Sequence, residues 1–311
     1  MPRQPTPARL TDDQLRDLLR LSRGSDSVEL KLTVPAEGHR SAIRSLGIDA
    51  LDAQIRQVFF FDTPDLKLYA SGLNLRARRI QGKGEDSVVK LRPVEPDQLE
   101  EEWRVSPNMK VEVDAMPGGY VSSASMKGRP ATGDTRKAAL GGLPIRKLFS
   151  KEQRTFYDLH APAGVQIDDL SVLGPIFVLK VTFTPEDFDR RLVAEMWFYP
   201  DGRRLLELST KCAPDELMQV ATVTRLFLSD HGIDLTSAQE TKTKNALQFY
   251  AKELQQAPAS TGVTNGAAAD GDASVAPKAE ELPAEVAAAT ADGAPDPTGA
   301  PTDGATEGDP D

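Results

Sequence analysis

The chain contains one cysteine, Cys212, among its 311 residues. An internal disulfide is therefore excluded, and a reducing compartment such as the cytoplasm is the expected location. The three histidines, His39, His160 and His231, do not have the spacing of a metal site. No run approaches the roughly 18 apolar residues of a membrane-spanning helix, and we expect neither a secretory signal nor a membrane partner. Chemistry based on a thiol pair or a histidine cluster is thus disfavoured.

The negative charge of the chain lies at one end. The formal net charge is −10, and residues 257–311 alone contain eleven acidic residues and one lysine. The remaining 36 basic and 36 acidic residues cancel. The terminal stretch is rich in Ala, Pro, Gly and Asp and lacks aromatic residues, so it predicts a disordered acidic tail. The acidic composition therefore does not argue against an anionic ligand for the rest of the chain.

Hydrophobic periodicity predicts a helical segment over residues 1–26 and a strand-rich domain over residues 27–255. The capping-box pattern Thr11-Asp-Asp-Gln14 marks the first helix. We predict strands or hairpins over residues 27–34, 54–62, 73–80, 86–92, 99–105, 151–160, 164–169, 175–183, 192–199 and 203–211. Residues 117–134 predict a long loop, and residues 39–46, 214–230 and 241–254 predict helices.

Charged side chains occupy one face of strand after strand, opposite an apolar face. In residues 73–78, for example, Arg76 and Arg78 alternate with Leu75 and Ala77. The charged set is Glu29, Lys31, Arg76, Arg78, Lys90, Arg92, Glu100, Glu102, Arg104, Lys180, Glu195, Glu207 and Lys211. For one strand, the ordinary interpretation is a solvent-facing surface. Repeated on many strands, the pattern favours an α+β fold in which a closed antiparallel barrel encloses a charged interior and helices pack outside.

The order of motifs resembles the CYTH superfamily, also called triphosphate tunnel metalloenzymes. The matching segments are Phe-Phe-Asp-Thr-Pro-Asp-Leu (60–66), Leu-Asn-Leu-Arg-Ala-Arg (73–78) and Val-Val-Lys-Leu-Arg (88–92). Two positions depart from the family pattern. The opening Glu-x-Glu-x-Lys signature is here Ser27-Val-Glu29-Leu-Lys31, and the later Glu-x-Glu pair is Glu207-Leu-Ser209. The resemblance covers residues 27–105 well, continues more weakly to residue 250 and does not include the tail.

The resemblance implies three roles for the charged residues: catalysis, substrate binding and metal binding. Lys31, Glu29 and Arg76 are the expected catalytic residues. The expected substrate-binding residues are Lys31, Arg76, Arg78, Lys90, Arg92, Arg104, Arg154, Lys180 and Lys211. Glu29, Glu102, Glu195 and Glu207 are the expected ligands of Mg²⁺ or Mn²⁺, since these ions prefer oxygen ligands. The expected partner is a small-molecule triphosphate or polyphosphate rather than a nucleic acid.

Three functions follow from the resemblance. The first is metal-dependent hydrolysis of inorganic tripolyphosphate, thiamine triphosphate or a nucleoside triphosphate. The second is binding of a polyphosphate or nucleotide without turnover, which the serines at positions 27 and 209 favour. The third is cyclisation of ATP to cyclic AMP. The sequence favours hydrolysis, and it fixes neither the substrate nor the oligomeric state.

Overall fold

The computed structural model describes residues 10–237, 239 and 242–256, which form nine strands and eight helices. The strands are β1 (Ser27–Val34), β2 (Gln54–Asp62), β3 (Leu73–Ile80), β4 (Gly84–Leu91), β5 (Met109–Met116), β6 (Gly119–Gly128), β7 (Ser171–Phe183), β8 (Leu192–Phe198) and β9 (Arg204–Cys212). The helices are α1 (Asp12–Arg23), α2 (His39–Ser45), α3 (Lys67–Ala70), α4 (Glu101–Arg104), α5 (Asp134–Ala139), α6 (Lys151–His160), α7 (Leu217–Asp230) and α8 (Lys242–Gln256). The predicted tail, residues 257–311, lies outside the described residues.

The nine strands close into one barrel in the order β1-β5-β6-β4-β3-β2-β7-β8-β9, with β9 hydrogen-bonded to β1. Every neighbouring pair is antiparallel except β1 and β5, which run parallel. The predicted α+β class with a closed barrel is therefore confirmed, with one parallel pair added. Closure places one face of each strand inside the barrel and the other outside.

The apolar faces of the strands point outward and are covered by helices. Leu75 of β3 belongs to a buried cluster with Leu148, Phe149 and Phe156, and Phe156 lies on α6. On another side, a second cluster joins apolar residues of β1 and β9 to α2 and α7. The helices thus remove the outer apolar surface from water, which leaves the polar faces for the interior. No helix in the described part of the chain has the length and apolar composition needed to cross a membrane.

Helix α8 packs differently, because its apolar side chains contact the inner faces of strands. Ala246 and Leu247 are buried in a cluster with Phe60 of β2, Ile176 of β7 and Trp197 of β8. Each of these strand residues lies an even number of positions from an inward-pointing charged residue on the same strand. Its side chain therefore points inward as well. The two tryptophans lie on opposite sides of the barrel wall, since Trp103 packs outside against Phe156 and Trp197 lines the cavity.

The predicted strand over residues 99–105 is wrong. These residues enter the short helix α4, whose first turn carries Glu101 and Glu102. Acidic side chains are favourable at a helix N-terminus, where the backbone amides carry partial positive charge. The strand lies further on, at β5, where Val111 and Val113 face outward while Glu112 and Asp114 face inward.

Three further segments differ from the prediction. Residues 164–169 do not form a strand and end in the 3-10 helix Ile167–Asp169. Residues 119–128 form β6 rather than a loop, because their small side chains fit a buried strand; Ser122, Ser123 and Ser125 are all buried. Residues 151–160 form α6 rather than half of a hairpin. A capping box begins that helix, in which the Ser150 hydroxyl accepts from the Gln153 amide and the Gln153 side chain accepts from the Ser150 amide.

Candidate functional site

The barrel encloses a cavity of about 1510 Å³. Its described lining contains eleven basic and six acidic side chains, an excess of five positive charges. The basic residues are Lys31, Arg56, Arg76, Arg78, Lys90, Arg92, Lys127, Arg129, Lys180, Lys211 and Lys242. The acidic residues are Glu29, Asp86, Glu112, Asp114, Glu195 and Glu207. Such an interior attracts anions, since burial weakens the screening that water gives at a surface.

Most of the predicted site residues meet in this cavity, and three do not. Glu102 and Arg104 lie on the exposed α4. Arg154 lies on α6, where its guanidinium donates to the backbone carbonyl oxygen of Phe149 at 2.5 Å. None of the three lines the cavity. Their placement follows from the two wrongly predicted strands, because a helix does not carry the inward-facing alternation of a barrel strand.

Several lining residues were missed by the sequence interpretation. They are Arg56, Asp86, Glu112, Asp114, Lys127, Arg129 and Lys242. The run Lys110-Val-Glu-Val-Asp114 alternates as strictly as any predicted strand, and it was a usable signal for β5. Lys242 had no such signal, because its role depends on where α8 docks rather than on a local pattern.

Asp114 is shared by three cations at the bottom of a buried network. It is 2% exposed and lies 2.9 Å from the Lys31 ammonium, 3.5 Å from the Arg92 guanidinium and 3.7 Å from the Lys90 ammonium. Burial opposes its ionisation, but these three cations outweigh burial and hold the pKa of Asp114 well below its usual range. One carboxylate cannot neutralise three cations, so this part of the wall keeps a net positive charge.

The ammonium of Lys90 is the most weakly compensated of these three. Burial lowers the pKa of Lys90 to about 8, and repulsion from Lys31 and Arg92 adds to the shift against the attraction of Asp114. The Lys31 ammonium, by contrast, also lies 3.3 Å from Glu29. Its pKa is raised despite burial, because Asp114, Glu29 and Glu207 all attract the proton.

Arg76 is a half-buried arginine with a solvent-inaccessible Nε and no carboxylate partner among the described residues. No acidic oxygen of the described chain lies within ion-pair distance of it, and its Nε has no hydrogen-bond acceptor there. Burial lowers the pKa of Arg76 to about 10, with repulsion from Arg78 adding to the shift. Arg78 differs, since it donates to both carboxylate oxygens of Asp86, at 2.8 and 2.5 Å. Arg76 is thus the cation of this wall that most needs an anion.

Strand β3 is positioned by the motif that carries the family resemblance. The carboxylate of Asp62 accepts from the backbone amides of Thr63, Leu68 and Tyr69 at 2.7 to 2.9 Å. These bonds fix the turn through α3 that leads into Arg76 and Arg78. Burial raises the pKa of Asp62 against the effect of those three hydrogen bonds. Asp62 therefore supports the wall rather than lining it.

Glu195 and Glu207 face each other across β8 and β9 and share the ammonium of Lys242. The Lys242 Nζ lies 2.6 Å from an oxygen of each carboxylate and 5.1 Å from the centroid of the Trp197 ring. Lys180 lies 3.2 Å from Glu195. Burial opposes ionisation of Glu195, but Lys242 and Lys180 hold its pKa well below the usual range. Both carboxylates are thus already neutralised from within the chain.

The carboxylates of the cavity do not form a metal-binding group. Among the described residues, no three side chains of histidine, cysteine, aspartate or glutamate converge as metal ligands do. The predicted ligands Glu29, Glu195 and Glu207 lie in the cavity, but each is bound by a lysine ammonium, and Glu102 lies elsewhere. The described residues therefore do not fit a resident Mg²⁺ or Mn²⁺ held by a predicted carboxylate set.

Together, the fold and cavity define a closed barrel with a polar interior that is net positive. Solved structures of candidate cyclases share this fold. A protein from Hippeastrum, described as a candidate adenylyl cyclase with a dominant triphosphatase activity, is 17% identical with a TM-score of 0.53, covering 71% of this chain and 95% of its own. A candidate adenylate cyclase from Bacillus halodurans is 17% identical with a TM-score of 0.50, covering 71% and 97%. No family model and no curated protein matches the sequence.

Proposed function

We propose that the cavity binds a linear triphosphate and that the protein hydrolyses its terminal anhydride bond. The observation that carries the proposal is Arg76, a half-buried arginine whose Nε is solvent-inaccessible and which has no described carboxylate partner, in a lining with five excess positive charges. A linear triphosphate carries about four to five negative charges, because its terminal phosphates ionise twice near neutral pH. The charge of this ligand therefore matches the excess of the lining.

The proposed chemistry is electrostatic. Water attacks the terminal phosphorus, and the bond from that phosphorus to the bridging oxygen breaks. The electron pair of that bond goes to the departing diphosphate, the terminal phosphoryl group leaves as orthophosphate, and the proton lost by the water passes to solvent. Arg76 and Lys31 stabilise the negative charge that develops on the transferred and departing oxygens. Glu29 orients the Lys31 ammonium through its ion pair at 3.3 Å. Arg78, Lys90, Arg92, Lys180 and Lys211 supply further contacts along the chain of phosphates.

The neighbours described as a triphosphatase and as cyclases support a triphosphate as the ligand class through their shared fold. The choice among inorganic tripolyphosphate, thiamine triphosphate and a nucleoside triphosphate remains open in this proposal. Dependence of the hydrolysis on Mg²⁺ or Mn²⁺ stays a prediction.

Binding without turnover is the second candidate function. The observation that favours it is the Glu195–Glu207 pair, which is occupied by Lys242 rather than free to organise a reaction. The binding and hydrolysis proposals share the same cationic wall. They differ in whether a bound triphosphate is consumed.

Calorimetry and phosphate release together test the proposal. Wild type, R76A and the surface control R104A are each titrated with tripolyphosphate and assayed for release from tripolyphosphate, thiamine triphosphate and ATP. We expect binding and release by wild type and R104A and a strong loss in R76A. Binding without release supports the second candidate, formation of cyclic AMP and pyrophosphate from ATP indicates cyclisation, and equal results for wild type and R76A contradict the proposed site.

A further inference from the structure

We infer that Lys242 is a built-in counter-cation for Glu195 and Glu207, so that this carboxylate pair excludes divalent metal and the cavity binds phosphate chains without it. The ammonium lies 2.6 Å from an oxygen of each carboxylate. A divalent cation bound by the same oxygens would need the space between them, which the Lys242 nitrogen fills. The inference rests on the proposed function only where it concerns phosphate chains.

The lysine is held in place by the helix that carries it. Lys242 is the first residue of α8, and Ala246 and Leu247, about one turn later, are buried against the inner faces of β2, β7 and β8. The ring of Trp197 also contacts the ammonium, at 5.1 Å from its centroid. Displacing the lysine would therefore require both breaking two short ion pairs and disturbing buried packing.

The electrostatics of the pair favour the same assignment. Glu195 and Glu207 stand opposite each other in the register of β8 and β9, a position where two unpaired carboxylates would repel. The pKa of Lys242 is raised despite burial, since Glu195 and Glu207 attract its proton. Lys242 is therefore protonated, and positively charged, at neutral pH.

The same arrangement recurs along the neighbouring strands β9, β1 and β5. The Lys31 ammonium lies between Glu29 and Asp114, at 3.3 and 2.9 Å, and the Lys211 ammonium lies 2.6 Å from Glu112. Lysine ammonium groups therefore pair with five of the six acidic side chains in the described lining, and Arg78 pairs with the sixth, Asp86. The cationic wall that includes Arg76 is left to bind the anion directly.

Manganese binding to the full chain provides the decisive test, read from the loss of the free Mn²⁺ signal in electron paramagnetic resonance. Replacing the ammonium in K242M leaves a carboxylate pair that can bind a hard cation, so we expect Mn²⁺ affinity to rise at least about tenfold over wild type. The triple variant E195Q/E207Q/K242M is the matched control and is expected to bind Mn²⁺ no better than wild type. The Mn²⁺ binding of this triple variant also measures the ions held by acidic residues elsewhere in the chain, so that they can be subtracted from the binding of K242M.

A second measurement uses wild type alone and covers the case in which K242M does not fold. Tripolyphosphate is titrated in EDTA and again with Mn²⁺, and we expect affinities within about twofold of each other. Binding that needs Mn²⁺, or a folded K242M with no gain in Mn²⁺ affinity, overturns the inference. If wild type binds no tripolyphosphate under either condition, the proposed function fails, and the Mn²⁺ titrations of the variants still decide the role of Lys242.

Discussion

Ser27 and Glu112 stand side by side in the parallel pair of β1 and β5, and the Ser27 hydroxyl donates to a Glu112 carboxylate oxygen at 3.2 Å. Strand β5 therefore brings a carboxylate to the side chain of Ser27, a strand position that has none of its own. Lys211, on the other side of β1, lies 2.6 Å from the same carboxylate and joins β9 to this network. Part of the acidic side of the cavity is thus formed by β5, a strand that the sequence interpretation missed.

Replacing Arg76 separates binding from stability. We expect R76M to weaken tripolyphosphate binding about 100-fold, about 2.7 kcal/mol, because the charge-assisted contacts of a guanidinium are lost. We also expect its free energy of unfolding to be unchanged or up to about 2 kcal/mol higher, since a half-buried cation without a described carboxylate partner is removed. Calorimetry and urea denaturation measure the two effects. R104M, on the exposed α4, should change neither, and a large loss of stability in R76M would contradict this account.

Asp114 is expected to stabilise the fold, because it is itself buried and three half-buried cations lie within ion-pair distance of it. D114N should lower the free energy of unfolding by about 3–5 kcal/mol at neutral pH. The pKa of Asp114 is lower in the folded chain than its ordinary 3.8, so its contribution is complete above that value and is lost as pH falls through the lowered one. The free energies of unfolding of wild type and D114N, measured by urea denaturation, should therefore converge at strongly acidic pH. The exposed control D52N should follow wild type throughout, and a constant gap between wild type and D114N down to the lowest pH would exclude this linkage.

The barrel was predictable because its strands alternate. Arg76 and Arg78 could be placed on one face without knowing their partners, since the side chains of a strand alternate by geometry alone. That rule gave the inward position of most cationic residues. It failed at residues 99–105, where glutamates next to a tryptophan were assigned to a strand although acidic residues also favour the start of a helix.

The pairing of charges inside the cavity could not be predicted. Which carboxylate meets Lys31 depends on β1 lying parallel to β5. The paired residues of these strands are 85 positions apart in the chain, and no local pattern reports their register. The position of Lys242 was even harder to predict, because it follows from the docking of α8 on residues of three strands. Long-range packing thus decided which charges are neutralised and which are left for a ligand.

Asp62 is expected to act on folding and not on binding, although it belongs to the motif on which the family resemblance depends. D62A removes three hydrogen bonds from backbone amides to a carboxylate, so the free energy of unfolding should fall by about 2–4 kcal/mol. The folded fraction should bind tripolyphosphate with wild-type affinity. Calorimetry well below the unfolding midpoint, with D65A at the exposed neighbouring position as control, measures this. A loss of affinity in fully folded D62A would instead place Asp62 in the site.

The lowered pKa of Lys90 predicts how the affinity for tripolyphosphate depends on pH. Burial lowers the pKa of its ammonium to about 8 from an ordinary 10.5, so the free cavity loses this charge as pH rises through about 8. Tripolyphosphate affinity should therefore fall above that pH. Stability should change in the opposite direction, because the unfolded chain binds more protons at Lys90 than the folded chain between about pH 8 and 10.5.

Titrations of wild type, K90R and K90M between pH 7 and pH 10 separate the contribution of Lys90 from other groups. K90R keeps its charge, so its affinity should remain high where that of wild type falls. K90M should bind weakly throughout and lack the step near pH 8, while K83M, in the exposed turn between β3 and β4, should reproduce the wild-type curve. A step of the same size in K90M would assign the pH dependence to a different residue. Its absence, together with the rescue by K90R, would make Lys90 the cation whose protonation sets the upper pH limit for the anion.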